Sequence, residues 1–161
     1  MPLSSFTYEL HHALSAIGPS IRLTQAYVKF ELGEDAFVKA KDFRLSGWLA
    51  QQEDQHRIVV YQCDPEMNQW TQMCIRHADV ILTLAMASDK PQRVSPLEEK
   101  LAEMSKRTRK EMVFLHKEDT IYPNGTAKWL AARNWVNAHF HIKCPRRLFF
   151  KKSEEKVKEY Y

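Results

Sequence analysis

The side chains best able to do chemistry in this 161-residue sequence are a lone serine, a few imidazoles and thiols, and a run of acids beside a histidine. Ser20 lies in Gly18-Pro19-Ser20-Ile21-Arg22, the nearest approach to a nucleophile elbow. An elbow exposes its hydroxyl on a steep strand-to-helix turn that only small neighbours permit. Here the closing glycine is absent, proline precedes the serine, and Ser20 comes before a strand instead of after one. It reads as a loop serine. His139-x-His141 with Cys144 could offer two imidazoles and a thiolate to zinc, because alternate residues of a strand share a face. Cys144 falls on the opposite face unless the chain bends at Pro145, and no fourth ligand is evident, so the pair reads as edge-strand histidines. His11 and His12 point two ways around one helix and read as solvated.

Gln51-Gln52-Glu53-Asp54-Gln55-His56 could supply an acid/base pair, but it precedes a strand, and open α/β sheets gather ligands at the carboxyl ends. A structural tie between helix and strand is expected there. The carboxyl-end candidates are Asp64, Ser88-Asp89 and Glu118-Asp119, ordinary acidic loop residues. Glycine is scarce: Gly18, Gly33, Gly47 and Gly125 are the whole supply. Neither a clustered-glycine dinucleotide fingerprint nor a Gly-Lys-Ser/Thr phosphate loop occurs, which leaves only an atypical pocket at the strand ends for a nucleotide. No catalytic residue, cofactor site or metal site is assigned.

The net charge of +4 has an address. From Lys143 to Tyr161 seven basic residues face three acidic ones, an excess equal to the whole net charge of +4. Arg146, Arg147, Lys151 and Lys152 interleave with Leu148, Phe149 and Phe150. That pattern reads first as a solvated domain end, with contact to an anionic membrane surface or a partner as the alternative. No RNA- or DNA-binding module signature accompanies it, and nucleic acid is not expected as a partner.

The elements that would position these residues follow from apolar spacing. Ser4 or Ser5 is expected to cap a first helix whose apolar residues Phe6, Leu10, Ala13, Leu14 and Ile17 fall at helical spacing, stopped by Gly18-Pro19. Ser20 to Leu23 reads as a short strand, and Thr24 caps a helix with Val28 and Leu32 inward that ends at Gly33. A further helix is expected from about Ala36 to Gln52, interrupted or bent near Ser46-Gly47, with Phe37, Ala40, Leu45, Trp48 and Leu49 inward. Ile58 to Tyr61, Val80 to Leu84 and Met112 to Leu115 are apolar runs of the kind buried on both faces. Helical patterns separate them, one through Trp70, Met73, Cys74 and His77, the other through Leu97, Leu101 and Met104 after the capping box Ser95-Pro96-Leu97-Glu98. Asn124-Gly125-Thr126, although a glycosylation sequon, reads as a turn into a helix through Leu130 and Arg133. Phe140, Ile142 and Cys144 then alternate as an edge strand, and a last helix starts at Ser153. This is an α/β fold: an open, doubly wound, mostly parallel sheet of about five strands in a Rossmann-like or flavodoxin-like three-layer arrangement. Such a sheet usually opens with a strand, so an earlier first strand is expected in a longer parent.

With 44% apolar and 27% charged residues, the chain has the composition of one folded domain, residues 1–161, not of a disordered or fibrous protein. Three cysteines without C-x-x-C spacing favour a reducing compartment and a soluble, cytoplasmic chain. The longest apolar run, Val80 to Ala87, is too short to span a bilayer as a helix.

Four ordered blocks carry a resemblance: Phe6 to Pro19 (FTYELHHALSAIGP), Arg44 to Val59 (RLSGWLAQQEDQHRIV), Trp70 to Asp79 (WTQMCIRHAD) and Cys144-Pro145-Arg146-Arg147. They resemble the segment that precedes the patatin-type catalytic domain in the neuropathy target esterase family of lysophospholipases. The resemblance implies a large parent acting on lysophosphatidylcholine and related phospholipids at the cytoplasmic face of the endoplasmic reticulum membrane. A patatin site uses a glycine-rich oxyanion loop, Gly-x-Ser-x-Gly and Asp-Gly, and none of the three occurs in this chain. The resemblance therefore implies a non-catalytic accessory or scaffold domain, a fragment of its parent, whose partner is the patatin catalytic domain. The alternative is an independent module binding a nucleotide or phospholipid headgroup at the strand ends.

Overall fold

The computed structural model describes residues 3–38, 42–91, 93–104 and 107–145, and the side chain of Asp42 is excluded. Arg146, Arg147, Lys151, Lys152 and the helix expected from Ser153 lie outside the described residues. Helices and strands alternate in the order α1 (Leu3–Ser15), β1 (Ser20–Leu23), α2 (Gln25–Leu32), α3 (Asp42–Gln55), β2 (Ile58–Tyr61), α4 (Gln69–His77), β3 (Val80–Met86), α5 (Pro96–Met104), β4 (Arg109–Lys117), α6 (Thr126–Ala131) and β5 (Ala138–Cys144). Every strand pair is parallel, as the crossover helices require. The strands form two open sheets, β1-β2 and β3-β4-β5, consistent with a Rossmann-like fold.

Local chemistry explains most boundaries. The Thr24 hydroxyl accepts the Tyr27 N–H at 3.1 Å to start α2, and Gly33, at φ 93°, closes that helix by donating its N–H to Lys29 O. At α5 the Ser95 N–H donates to Glu98 Oε2 at 2.8 Å while the Glu98 N–H donates to Ser95 Oγ at 3.2 Å, a reciprocal capping box. Gly125, at φ 75°, turns the chain into α6. Several boundaries differ from the sequence reading. Ser4 and Ser5 lie inside the first turn of α1, which already begins at Leu3. α3 passes uninterrupted through Ser46-Gly47, because Leu45 and Leu49, one turn apart and fully buried, anchor both flanks of that pair; residues 34–37 form a turn, and the helix begins at Asp42. Finally, α6 ends at Ala131, leaving Arg133 in the turn that follows.

Three buried clusters hold the layers. Leu23 of β1 packs with Val28 and Leu32 of α2, Leu45 and Leu49 of α3, and Trp70, Met73 and Cys74 of α4. Trp70 is fully buried, donates Nε1–H to Gln62 O at 2.8 Å, and meets Phe37 and Tyr61 edge-on. On the larger sheet, Met112 and Phe114 of β4 pack on Trp129 of α6, while Val113, Leu115 and Cys144 face Phe6 of α1, Leu84 and Met86. β4 is buried from Lys110 to His116, as a central parallel strand should be. β2 and β3 are not: β2 is half-buried throughout, and Val80 and Leu82 of β3 are 45% and 39% exposed. The expectation of burial on both faces fails for these two strands because each has a strand neighbour on one side only.

Candidate functional site

α1 runs from the carboxyl ends of the strands toward their amino ends. Thr7 Oγ1 donates to Gln62 Oε1 at 2.5 Å just past β2, whereas His11 Nε2 donates to the carbonyl of Ser20 at 3.1 Å at the start of β1. The first turn of α1 therefore overlooks the edge where α/β sheets bind ligands. Gln62 Oε1 also accepts from Arg22 Nη1 at 2.8 Å, and the Arg22 guanidinium lies 6.0 Å from the Tyr8 ring centroid. Asp64, the first carboxyl-end candidate, accepts from Asn68 Nδ2 at 2.6 Å and receives the Thr71 hydroxyl on its carbonyl. Asn68 in turn caps α4 by accepting the Thr71 N–H at 2.9 Å. These polar groups fasten the α1, β2 and α4 ends to one another, and their hydrogen bonds run within the rim. Beneath the rim the Cys63 and Cys74 thiols hydrogen-bond: burial pushes the Cys74 thiol up, and the bond it gives holds Cys63 below the ordinary thiol value. Both cysteines are free.

The other sequence candidates take structural places. The Ser20 hydroxyl pairs with the Ser15 hydroxyl at 2.8 Å, and no imidazole acts on it among the described residues. His56 Nδ1 lies 2.9 Å from Gln52 O and ties the end of α3 to β2. Glu53 accepts the Tyr61 hydroxyl at 2.6 Å and lies 3.3 Å from His77 Nδ1. Burial, then the Glu53 carboxylate, raises the Tyr61 hydroxyl far above its usual value. Asp89 and Asp119 lie in turns beyond β3 and β4.

The zinc set His139, His141 and Cys144 is not assembled. Cys144 packs with Val113 and Leu115 on one face of the sheet, whereas His139 and His141 surround Phe114 on the other. His141 Nδ1 instead meets His116 Nε2 at 2.8 Å, and its Nε2 lies 3.4 Å from Thr126 Oγ1. Burial first, then Lys143 for His116 and the other two imidazoles for His141, lowers both pKa values, and the short contact between the rings requires one of them to donate an N–H to the other. Among the described residues no three metal-ligating side chains converge.

The strongest polar feature was invisible in the motifs. Arg133 is 2% exposed and forks over Glu98, with Nε to Oε1 at 2.6 Å and Nη2 to Oε2 at 3.4 Å. Nη1 donates to Pro91 O at 2.7 Å and Nη2 to Arg93 O at 2.9 Å, with the guanidinium 4.7 Å from the Trp129 ring centroid. Burial alone would raise the Glu98 carboxyl, but the hydrogen bonds from Arg133 and the Ser95 N–H outweigh it and hold the pKa below the usual value. The capping-box glutamate thus also anchors the loop between β3 and α5.

Comparison with known proteins gives this geometry its context. The sequence matches the profile of the Neuropathy Target Esterase family P-loop like domain over residues 1–161. It is 47% identical over 161 residues to patatin-like phospholipase domain-containing protein 7 of Mus musculus, covering all of this chain and 12% of that protein. Patatin-like phospholipase domain-containing protein 6 of Homo sapiens is 44% identical over 161 residues, again 100% of this chain and 12% of the relative. Neuropathy target esterase sws of Drosophila sechellia is 44% identical over 162 residues, 11% of its length. The chain thus spans about an eighth of the curated relatives it matches. No solved structure matches it. No helix among the described residues is long and apolar enough to cross a membrane. A full-length match of this identity makes the chain a member of the neuropathy target esterase family, as its P-loop-like domain.

Proposed function

We propose that this domain is a non-catalytic scaffold that positions the patatin hydrolase of a neuropathy-target-esterase-like lysophospholipase acting on lysophosphatidylcholine and related lipids. One observation carries the reading: no serine in the 161 residues stands in Gly-x-Ser-x-Gly, and Ser20, the nearest approach, pairs with Ser15 instead of a base. The purified chain should hydrolyse lysophosphatidylcholine only at the background rate. Turnover abolished by Ser20→Ala would overturn the proposal.

In this reading Arg146, Arg147, Lys151 and Lys152 lie against the anionic cytoplasmic leaflet of the endoplasmic reticulum and orient the hydrolase toward its lipids. Each basic side chain near such a surface adds about 1 kcal/mol of attraction, screened by salt. The chain should sediment with phosphatidylserine vesicles at low salt, and replacing those four residues with glutamine should abolish sedimentation. Equal sedimentation by the fourfold variant would remove this part of the proposal.

A further inference from the structure

The scaffold role leaves the thiols of Cys63 and Cys74 without a task. They come from different elements, and two tethers force them together. The Trp70 Nε1–H donates to Gln62 O at 2.8 Å, and the Asp64 N–H donates to Thr71 Oγ1 at 3.1 Å. Cys63 therefore sits between two backbone positions that are both pinned to α4. Trp70 and Thr71 lie four and three residues before Cys74, so the three side chains share one helix face. That face is buried, and it carries the Cys74 thiol into hydrogen-bonding contact with Cys63. Cys74 is 2% exposed in the core, whereas Cys63, two residues past the end of β2, is only partly covered. Neither is joined to another sulfur. Cys144 packs in a different cluster, with Val113 and Leu115.

We propose that Cys63 and Cys74 form a peroxide-responsive modification site: Cys63 is oxidised first, and Cys74 resolves it as an intramolecular disulfide. The chemistry divides as exposure divides. The Cys63 sulfur, as thiolate, attacks one oxygen of hydrogen peroxide; the O–O bond breaks, hydroxide leaves as water with the proton that Cys63 gave up, and Cys63 becomes a sulfenic acid. The Cys74 sulfur then attacks the Cys63 sulfur, the S–O bond breaks, and the hydroxyl leaves with the Cys74 proton as a second water. The two thiols lose two electrons, and the peroxide is reduced to two waters. Acidities match these roles. The hydrogen bond given by Cys74 lowers Cys63, against burial and the Asp64 carboxylate, and so enriches its thiolate. Burial, then that same bond, raises Cys74, which stays a thiol until a sulfenic acid forms beside it. The disulfide closes residues 63–74 into a ring and holds the 64–68 loop at the carboxyl edge. A dithiol reductant reverses it, so in a reducing compartment the bond marks an oxidising episode and is no part of the resting fold.

The test treats the reduced 161-residue chain with a small molar excess of hydrogen peroxide and counts thiols by alkylation and mass spectrometry. The oxidised chain should stay monomeric and take one alkyl group in place of three, and peptide mapping should find Cys63 joined to Cys74. Dithiothreitol should restore all three thiols. Cys63 should react at least about tenfold faster than Cys144, whose thiol is raised by burial. Cys74→Ser keeps a hydroxyl donor beside Cys63 and, with dimedone present, should stop at a sulfenic acid trapped on Cys63. Cys63→Ser should leave Cys74 reduced. Hydrogen exchange over residues 64–69 should slow at least about tenfold in the oxidised chain and be unmoved by peroxide in either variant. Three intact thiols, oxidation of Cys144 at the rate of Cys63, or disulfides that join separate chains would overturn the proposal. Mapping of the unmutated chain decides between these outcomes even where a serine variant fails to fold.

Discussion

β4 and β3 are neighbours in one sheet, and β4, which carries charged residues at both ends, is buried from Lys110 to His116, whereas the uncharged β3 shows Val80 and Leu82 to solvent. The difference lies in what stands on each side. β4 has a strand on both edges and a helix-bearing core on both faces, while β3, among the described residues, has a strand on one edge alone. A run of β-branched and aliphatic residues therefore records where a strand is built to sit, and its burial depends on neighbours that the run cannot specify.

The strongest way to break the comparison is at the buried side. Trp70→Ala should cost about 3–5 kcal/mol, because it opens a large cavity and leaves Gln62 O without its donor. Arg133→Ala should cost a similar about 3–5 kcal/mol by leaving Glu98 half-buried and unpaired, and Arg133→Met with Glu98→Leu should recover much of it. Denaturant unfolding checks both, with a loss of stability below about 1 kcal/mol counting against them. A direct contrast comes next: Met112→Ala in β4, where the side chain is fully buried, should cost about 2–5 kcal/mol, whereas Leu82→Ala in β3 should cost under about 1 kcal/mol. Equal costs would mean that β3 is as well packed as β4.

Two smaller effects depend on pH. Glu98 has a lowered folded pKa, so its contribution is present above its unfolded value near 4.5 and is lost as pH falls through the folded value. Thermal melts should lose stability on that acid limb, and Glu98→Gln should flatten it. His116 and His141 are also lowered in the folded state, so they stabilise above their ordinary value of 6.5 and that stabilisation falls away on acidification below it. A shallow decline in Tm between about pH 7 and 5, reduced in His141→Asn, is the expected signature. A decline that is identical in the variant would assign it to other groups.

The alternation of elements, the caps at Thr24 and Ser95, the inward residues Leu45 and Leu49, and the edge position of β5 were all legible in the sequence, because each rests on spacing within one element. What was not legible depends on residues far apart in the chain. Arg133 reads as one more helical cation until Glu98, 35 positions earlier, is brought under it. His116 stands just past the apolar run Met112 to Leu115 and carries no motif, and only the β4–β5 register sets it beside His141. Asn68 carried a local signal, an amide side chain three residues before Thr71, that the strand-and-helix reading passed over. The split between β2 and β3 has no local signal, since both runs read alike.

Phe6 and Thr7 are consecutive residues on one helix, and they hold different sheets: Phe6 packs on the β3–β4 side, and Thr7 bonds Gln62 beside β2. A roll of α1 about its own axis would tighten one grip and loosen the other, so rolling is resisted. A single helical turn thus staples the two sheets to each other at their carboxyl edge.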